Sequence, residues 1–147
     1  MICYAVIDTN VLVSALLSNH IDAATVQLIG RVIEGEIIPV YSSEIMREYR
    51  EVLARKKFHF EQGLINYLLL SVEKYGILVV PSATGITLPD MKDLPFYEVV
   101  MEKRHDGAYL VTWNLKHFPL EPFIITAREM LDILDGKITL ENRKTID

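Results

Sequence analysis

Short apolar runs alternate with helical patterns along this chain, and the alternation restricts the fold more than any other feature of the sequence. The apolar runs predict strands at 3–7, 37–41, 77–80, 109–112 and 123–125. Between them, helical periodicity predicts helices starting near Asn10, at about 22–34, from Ser42 or Ser43 to about 55, at about 61–75 and 94–104, and between Thr126 and Gly136. Strands that alternate with helices need right-handed crossovers, so the sequence predicts an α/β fold with a mostly parallel sheet of four to five strands.

The size of the chain indicates one domain. It has 147 residues, of which 50% are hydrophobic, enough for one full core. We expect residues 1–136 to form a single domain and the polar residues 137–147 to form a C-terminal tail. The single cysteine, Cys3, excludes an intrachain disulfide and fits a reducing compartment, so we expect a cytoplasmic protein.

The N-terminal sequence, the net charge and the absence of certain motifs exclude several classes of protein. The first apolar stretch lacks a basic segment and is interrupted by Asp8, so we predict neither a signal peptide nor a membrane span. The net charge of −5 gives no general attraction to phosphate, although basic residues group locally between Arg50 and Lys57. No His or Cys set has zinc spacing, and neither a glycine-rich phosphate loop nor a G-x-S-x-G motif occurs.

Polar residues at the carboxyl ends of parallel strands are the first candidates for a site. This rule selects Asp8, Ser42, Ser43, Thr112 and Asn114. Asp8 is interpreted either as a metal ligand or as a helix N-cap, with about equal weight. The phosphatases that start from a strand-end Asp need a second Asp two residues later, where this chain has Asn10.

Glu48 is selected by helical geometry. The apolar face of its helix is formed by Ile45, Met46, Tyr49, Val52 and Leu53. At about 100° per residue, Glu48 lies on the border of that face, whereas Glu44 and Glu51 point further into solvent. A border acid can turn toward a cleft, although an ordinary solvated Glu is the commoner case.

Asp90 and Asp93 lie in a long, turn-rich loop before the helix that starts near Leu94. Asp93 is placed to cap that helix, with Pro95 in its first turn, and a second carboxylate oxygen remains available for a metal. For Asp90 we favour the role of a turn residue.

The segment after the fourth predicted strand supplies polar groups. Thr112 and Asn114 alternate to the same side of an extended chain. Asn114 offers a neutral oxygen ligand or a donor to a metal-bound water, and His117 could contact a phosphate, although a lone His is more often structural or exposed. Together, Asp8, Glu48 and Asp93 supply hard oxygen ligands of the kind that Mg²⁺ or Mn²⁺ prefers. Acidic residues are common in proteins, so residue types alone do not distinguish a metal site from solvated acids.

Four segments together resemble the PIN-domain family, in particular the VapC-like toxins of bacterial and archaeal toxin–antitoxin pairs. They are VIDTNVLVSALLS at 6–18, PVYSSEIMREYREVL at 39–53, D-x-x-D-x-x-F at 90–96, and LVTWNLKHF at 110–118. Each segment is modest alone, but all four occur in order and at fitting separations.

The resemblance implies a three-layer α/β/α fold and a divalent-metal-dependent nuclease site that acts on RNA. It makes Asp8, Glu48 and Asp93 the metal ligands, and it places the fourth acidic position of many family members on Asn114. Asn114 therefore joins the three acids as a catalytic candidate, with a lower charge than the family pattern. Asn10, Asp90, Thr112 and His117 are expected to contact the substrate or to support the ligands.

We therefore expect an endoribonuclease. Asp8 and Asp93 would hold a cation, and Glu48 would complete the metal site. The cation would activate a water and stabilise the charge on the phosphate. Two alternatives stay open: a PIN-fold binding module without nuclease activity, motivated by Asn114, and a nuclease of RNA maturation that has no antitoxin.

The expected partners are RNA, a possible antitoxin protein and a second copy of the chain. The dimer is predicted because the helix at 61–75 carries apolar residues on more than one narrow stripe, namely Leu64, Ile65, Leu68, Leu69, Leu70 and Val72. The alternative is a helix that is buried on two sides within the monomer.

Overall fold

The computed structural model describes residues 2–138 and confirms the predicted sheet of parallel strands. The strand order is β3-β2-β1-β4-β5. The strands are β1 (Cys3–Ile7), β2 (Ile37–Tyr41), β3 (Ile77–Leu78), β4 (Tyr109–Val111) and β5 (Ile124–Ile125). The helices are α1 (Thr9–Leu17), α2 (Ala24–Ile33), α3 (Ser43–Leu53), α4 (Gln62–Tyr75), α5 (Leu94–Glu102) and α6 (Ala127–Leu134).

The predicted three-layer α/β/α arrangement is also confirmed. Strand β1 lies at the centre of the sheet, with Ala5 paired to Pro39 of β2 and Ile7 paired to Val111 of β4. Helix α5 packs on β1, β2 and β4, while α2 packs on β2 and also contacts α1 and α6. The strands are apolar along most of their length because both faces of the sheet are covered by helices.

Two contacts determine how the helices approach the sheet. The hydroxyl of the buried Tyr49 donates a hydrogen bond to the carbonyl oxygen of Ile7, which fixes α3 beside the carboxyl end of β1. Gly76 ends α4 where a Cβ atom would lie 2.3 Å from the Val72 carbonyl oxygen and 2.6 Å from that of Pro39. Only glycine permits the chain to pass so close to β2 at this point.

Some predicted elements are longer than the observed ones. Strand β3 ends at Leu78 rather than at 80, although the amide of Val79 still donates to the Tyr41 carbonyl at 2.8 Å. Helix α5 ends at Glu102 rather than at 104, because Arg104–Asp106 form a 3₁₀ turn that is closed by Gly107 with φ +78°. The predicted tail lies, from residue 139 onward, outside the described residues. No helix within residues 2–138 is long and apolar enough to cross a membrane.

Candidate functional site

Asp8 lies where β1 ends and α1 begins. It occupies the N-cap position that the sequence predicts, but its side chain makes no capping hydrogen bond. The Thr112 hydroxyl donates to Asp8 Oδ2 at 2.9 Å, and Asn10 Nδ2 donates to the same oxygen at 3.2 Å. The pairing of Ile7 with Val111 places Thr112 beside Asp8, so the neighbouring strand holds this carboxylate in place.

Glu48 reaches the same region from α3. It is half-buried, whereas Glu44 and Glu51 are exposed, as the helical pattern predicts. Its carboxylate accepts a hydrogen bond from the hydroxyl of Thr9, which is the first residue of α1. Sequence reasoning missed Thr9, because its partner is 39 positions away and only the packing of α1 near α3 brings the two together.

Asp93 and His117 form the third part of the site. Asp93 occupies the predicted N-cap position of α5, but its side chain makes no capping hydrogen bond. Asp93 Oδ2 lies 2.9 Å from His117 Nδ1, within hydrogen-bonding distance. His117 ends a 3₁₀ turn, Leu115–His117, that follows β4. His117 therefore lies at the site, in contact with Asp93, although a lone histidine is more often a structural or an exposed residue.

Asp90 has the turn role that the sequence predicts. Its Oδ1 accepts from the Lys92 amide at 3.0 Å and caps the 3₁₀ turn Met91–Asp93. Asp90, Asp93 and His117 nevertheless offer ligand atoms that lie within 4.8 Å of one another. Asp90 is therefore close enough to add an oxygen or a negative charge to the site.

Asn114 adjoins the site through two neighbours. Its amide N–H donates to the Thr112 hydroxyl at 3.0 Å, and its Nδ2 lies 3.0 Å from His117 Nε2. Its link to Asp8 therefore runs through Thr112 rather than through a direct contact. Of the two serines selected with it, Ser42 caps α3 by accepting from the Ile45 amide at 3.2 Å, and Ser43 is exposed.

Burial raises the pKa values of all three acids, and the charge of a neighbouring carboxylate adds to the effect in each. Burial raises the pKa of Asp8 to about 6, and repulsion from Asp93 and Glu48 adds to this effect. Burial and then repulsion from Asp93 raise the pKa of Glu48. Burial also raises the pKa of Asp93, while its hydrogen bond with His117 acts in the opposite direction. Like charges in a desolvated site are unfavourable unless a positive charge compensates them.

The residues present fit a divalent cation. Within residues 2–138, no Lys or Arg forms an ion pair with Asp8, Glu48 or Asp93. Asn10 Oδ1 is buried and accepts no hydrogen bond from any residue between 2 and 138, and a cation or its water would satisfy this oxygen. The donor set is rich in oxygen, with one histidine nitrogen, and such a set suits Mg²⁺ or Mn²⁺.

A family model described as a PIN domain matches residues 4–116. The match extends from β1 into the turn that follows β4, and it includes Asp8, Glu48, Asp93 and Asn114. Searches of the curated proteins and of the solved structures gave no match.

Proposed function

The chain belongs to the PIN-domain family, and we propose that it is a divalent-metal-dependent ribonuclease that hydrolyses phosphodiester bonds within RNA. PIN domains are generally nucleases and use divalent metals. The observation that carries the proposal is that Asp8, Glu48 and Asp93 come from three separate segments and lie near enough for the charge of Asp93 to raise the pKa values of Asp8 and Glu48. None of the three acids pairs with a Lys or Arg within residues 2–138.

Asp8, Glu48 and Asp93 would hold the cation, which is proposed to be Mg²⁺ or Mn²⁺. When bound, the cation supplies Lewis acidity at the phosphate and lowers the pKa of the attacking water. The chain itself contributes orientation: Thr112 holds the Asp8 carboxylate and Thr9 holds that of Glu48. Acids that are fixed before the substrate arrives need little rearrangement during the reaction.

Cleavage of defined RNAs with and without Mn²⁺ tests this proposal. We expect the wild type to cut only with the metal and Asp8→Asn to lose the activity while keeping its fold, which circular dichroism checks. Asp106→Asn is the control, because Asp106 is an acid outside the site that pairs with Lys103. Equal metal-dependent activity of Asp8→Asn and the wild type would contradict the assignment.

We further propose that the nuclease is the toxin of a toxin–antitoxin pair and acts in the cytoplasm. The support is the resemblance of the segments around Asp8, Glu48, Asp93 and Asn114 to VapC-like toxins. A short gene for a DNA-binding antitoxin immediately upstream would favour this role. Its absence would favour the alternative, a nuclease of RNA maturation.

A PIN-fold binding module that no longer cuts is the second candidate. Asn114 favours it, because a neutral amide stands where many family members carry a fourth acid. Titration of the metal-free protein with Mn²⁺ separates the two candidates. If no metal binds at millimolar concentration and neither RNA nor DNA is cut, the binding module is the better account.

We also propose a homodimer that includes α4. One face of this helix packs inside the protomer through Ile65, Leu68, Leu69 and Val72. The opposite side exposes Leu64, Tyr67 and Leu70, with Leu70 61% exposed. Light scattering at tens of micromolar should give the mass of a dimer, and Leu70→Glu should shift it toward the monomer. A monomer mass for the wild type would contradict the proposal.

A further inference from the structure

A cavity of about 580 Å³ opens directly beside the acidic site. Successive turns of α1 form one wall, which begins with Thr9 and Asn10. Asn10 also donates to Asp8, and Thr9 donates to Glu48. Thr9 and Asn10 therefore belong to both the cavity and the acidic site, so the two adjoin each other.

Aromatic rings contribute to the remaining lining. Phe58 lies on one side and stacks on Phe60, with ring centroids 5.3 Å apart and planes 11° from parallel. Trp113 lines the cavity as well, although 65% of its surface is exposed. A ring exposed to this extent contributes little to the core, and much of its surface stays open to a ligand in the cavity.

The backbone on both sides of Trp113 is fixed, even though the ring is exposed. The Thr112 amide donates to the Ile125 carbonyl at 2.9 Å, and the Asn114 amide donates to the Thr112 hydroxyl at 3.0 Å. Thr112 also holds Asp8. The location of Trp113 is thus tied to the same residue that orients the acidic site.

The chemistry of the lining indicates the occupant. The residues that line the cavity are apolar, aromatic or neutral polar, and none of those described is charged. A cationic group lies just outside, where Lys57 Nζ is 5.1 Å from the centroid of the Phe58 ring. A flat, neutral group with polar edges fits the cavity, and a phosphate fits the acidic site once a cation is bound, with Lys57 available to a neighbouring phosphate.

We infer that the cavity is a nucleobase subsite, in which Trp113 stacks on the base of the nucleotide next to the cleaved phosphodiester. The inference rests on the proposed nuclease function and names part of its substrate recognition. Stacking on an aromatic ring tolerates different bases, so the subsite favours single-stranded RNA over a particular sequence.

Trp113 is the single tryptophan of the chain, so its fluorescence reports on this cavity alone. With Mn²⁺ present, ribonucleoside monophosphates should quench the emission, whereas ribose 5-phosphate, which lacks a base, should leave it nearly unchanged. Equal quenching by both compounds would overturn the subsite. Quenching by neither compound would also overturn it and would favour a polypeptide as the occupant of the cavity.

Kinetics of RNA cleavage give the second test. Trp113→Ala should lower kcat/KM roughly ten- to a hundredfold, mainly through KM, and Trp113→Phe should retain most of the activity. Tyr75→Ala, at an exposed aromatic residue at the end of α4, is the matched control and should cut like the wild type. Unchanged kcat/KM in Trp113→Ala would overturn the inference.

Two controls separate stacking from structural damage and from failure of the nuclease proposal. Melting temperature and Mn²⁺ affinity of Trp113→Ala should equal those of the wild type, because the ring is exposed and is not a ligand. A loss of either would assign Trp113 a structural role instead. If the wild type cuts no RNA, the nuclease proposal fails, and base-dependent quenching alone then decides whether the subsite exists.

Discussion

The N-cap residues of four helices in this molecule fall into two pairs, which differ in whether the side chain hydrogen-bonds to its own helix. Ser42 before α3 and Thr126 before α6 accept hydrogen bonds from backbone amides of their own helices, each at 3.2 Å. Asp8 before α1 and Asp93 before α5 have equally suitable side chains, yet neither caps its helix. Both acids turn to partners from the segment after β4, Asp8 to Thr112 and Asp93 to His117.

The difference identifies the starts of α1 and α5 as places where the fold lacks a stabilising contact. An N-cap side chain contributes about 1 kcal/mol to a helix, and α1 and α5 forgo this contribution. The two acids also lie close enough to repel each other, and burial raises both of their pKa values. Ser42 and Thr126 stabilise the fold, whereas Asp8 and Asp93 are the acids that we propose bind a cation, which would compensate their charge.

The largest expected contrast is in activity. Asp93→Asn should lower Mn²⁺-dependent RNA cleavage roughly a thousandfold, because losing a direct ligand costs more than the ten- to hundredfold typical of residues that support ligands. Thr126→Ala, at the N-cap of α6, should cut RNA like the wild type below its melting temperature. If both variants were equally active, the proposal that Asp93 binds the metal while Thr126 only caps its helix would be wrong.

The second contrast is a pH dependence of stability without metal. Asp8 has an ordinary pKa of 3.8 when unfolded and a pKa of about 6 in the folded protein. Folding therefore takes up a proton between these values, so the free energy of unfolding falls as the pH rises through this interval and stays lower above it. Asp8→Asn removes the penalty and should be more stable than the wild type above about pH 6, by up to about 3 kcal/mol.

Urea denaturation in EDTA at about pH 4.5 and pH 7 measures this difference. The advantage of Asp8→Asn should grow between the two pH values. Asp106→Asn is the control, because Lys103 lowers the pKa of Asp106 and its loss cannot produce a gain of this sign. An advantage that does not grow with pH would show that Asp8 is not strained in the metal-free protein.

The third contrast concerns the capping residues. Thr126→Ala should lower the free energy of unfolding by about 1 kcal/mol, because it removes the acceptor for the Glu129 amide. Thr126→Ser keeps that acceptor and should lose much less. Chemical denaturation measures both variants, and an equal loss in Ala and Ser would point to the missing methyl group rather than to the cap.

The sheet could be predicted from the sequence because its strands are short apolar runs between helices, and the carboxyl-edge rule selected Asp8 and Thr112 without knowledge of their contact. The rule also selected Ser42, which caps a helix instead. The bond between Thr9 and Glu48 could not be predicted, because it depends on how α1 and α3 are placed in space.

The N-cap positions were ambiguous for the same reason. An Asp before a helix has the same local sequence whether it caps or binds a metal, and only the distant partner decides. For Asp93 that partner is His117, 24 positions away in a separate turn. The helical period did place Glu48 correctly, because its position on the border of the apolar face depends on α3 alone.

The smallest expected effect concerns Asn114. Asn114→Asp adds a carboxylate beside His117 and should strengthen Mn²⁺ binding by a term on the order of 1 kcal/mol, or about fivefold in affinity. Asn66→Asp adds the same charge on the exposed part of α4 and should change the affinity little. If Asn114→Asp leaves Mn²⁺ affinity and stoichiometry unchanged, Asn114 does not face the metal.

Calorimetric titration of the metal-free wild type and Asp8→Asn with Mn²⁺ at neutral pH tests the central claim most directly, because it measures the cation that the acids are proposed to hold. We expect the wild type to bind one Mn²⁺ tightly, with any second ion weak. Asp8→Asn should bind at least about tenfold more weakly. Equal affinities, or no binding by the wild type, would contradict the proposal that Asp8 and Asp93 bind a metal rather than cap their helices.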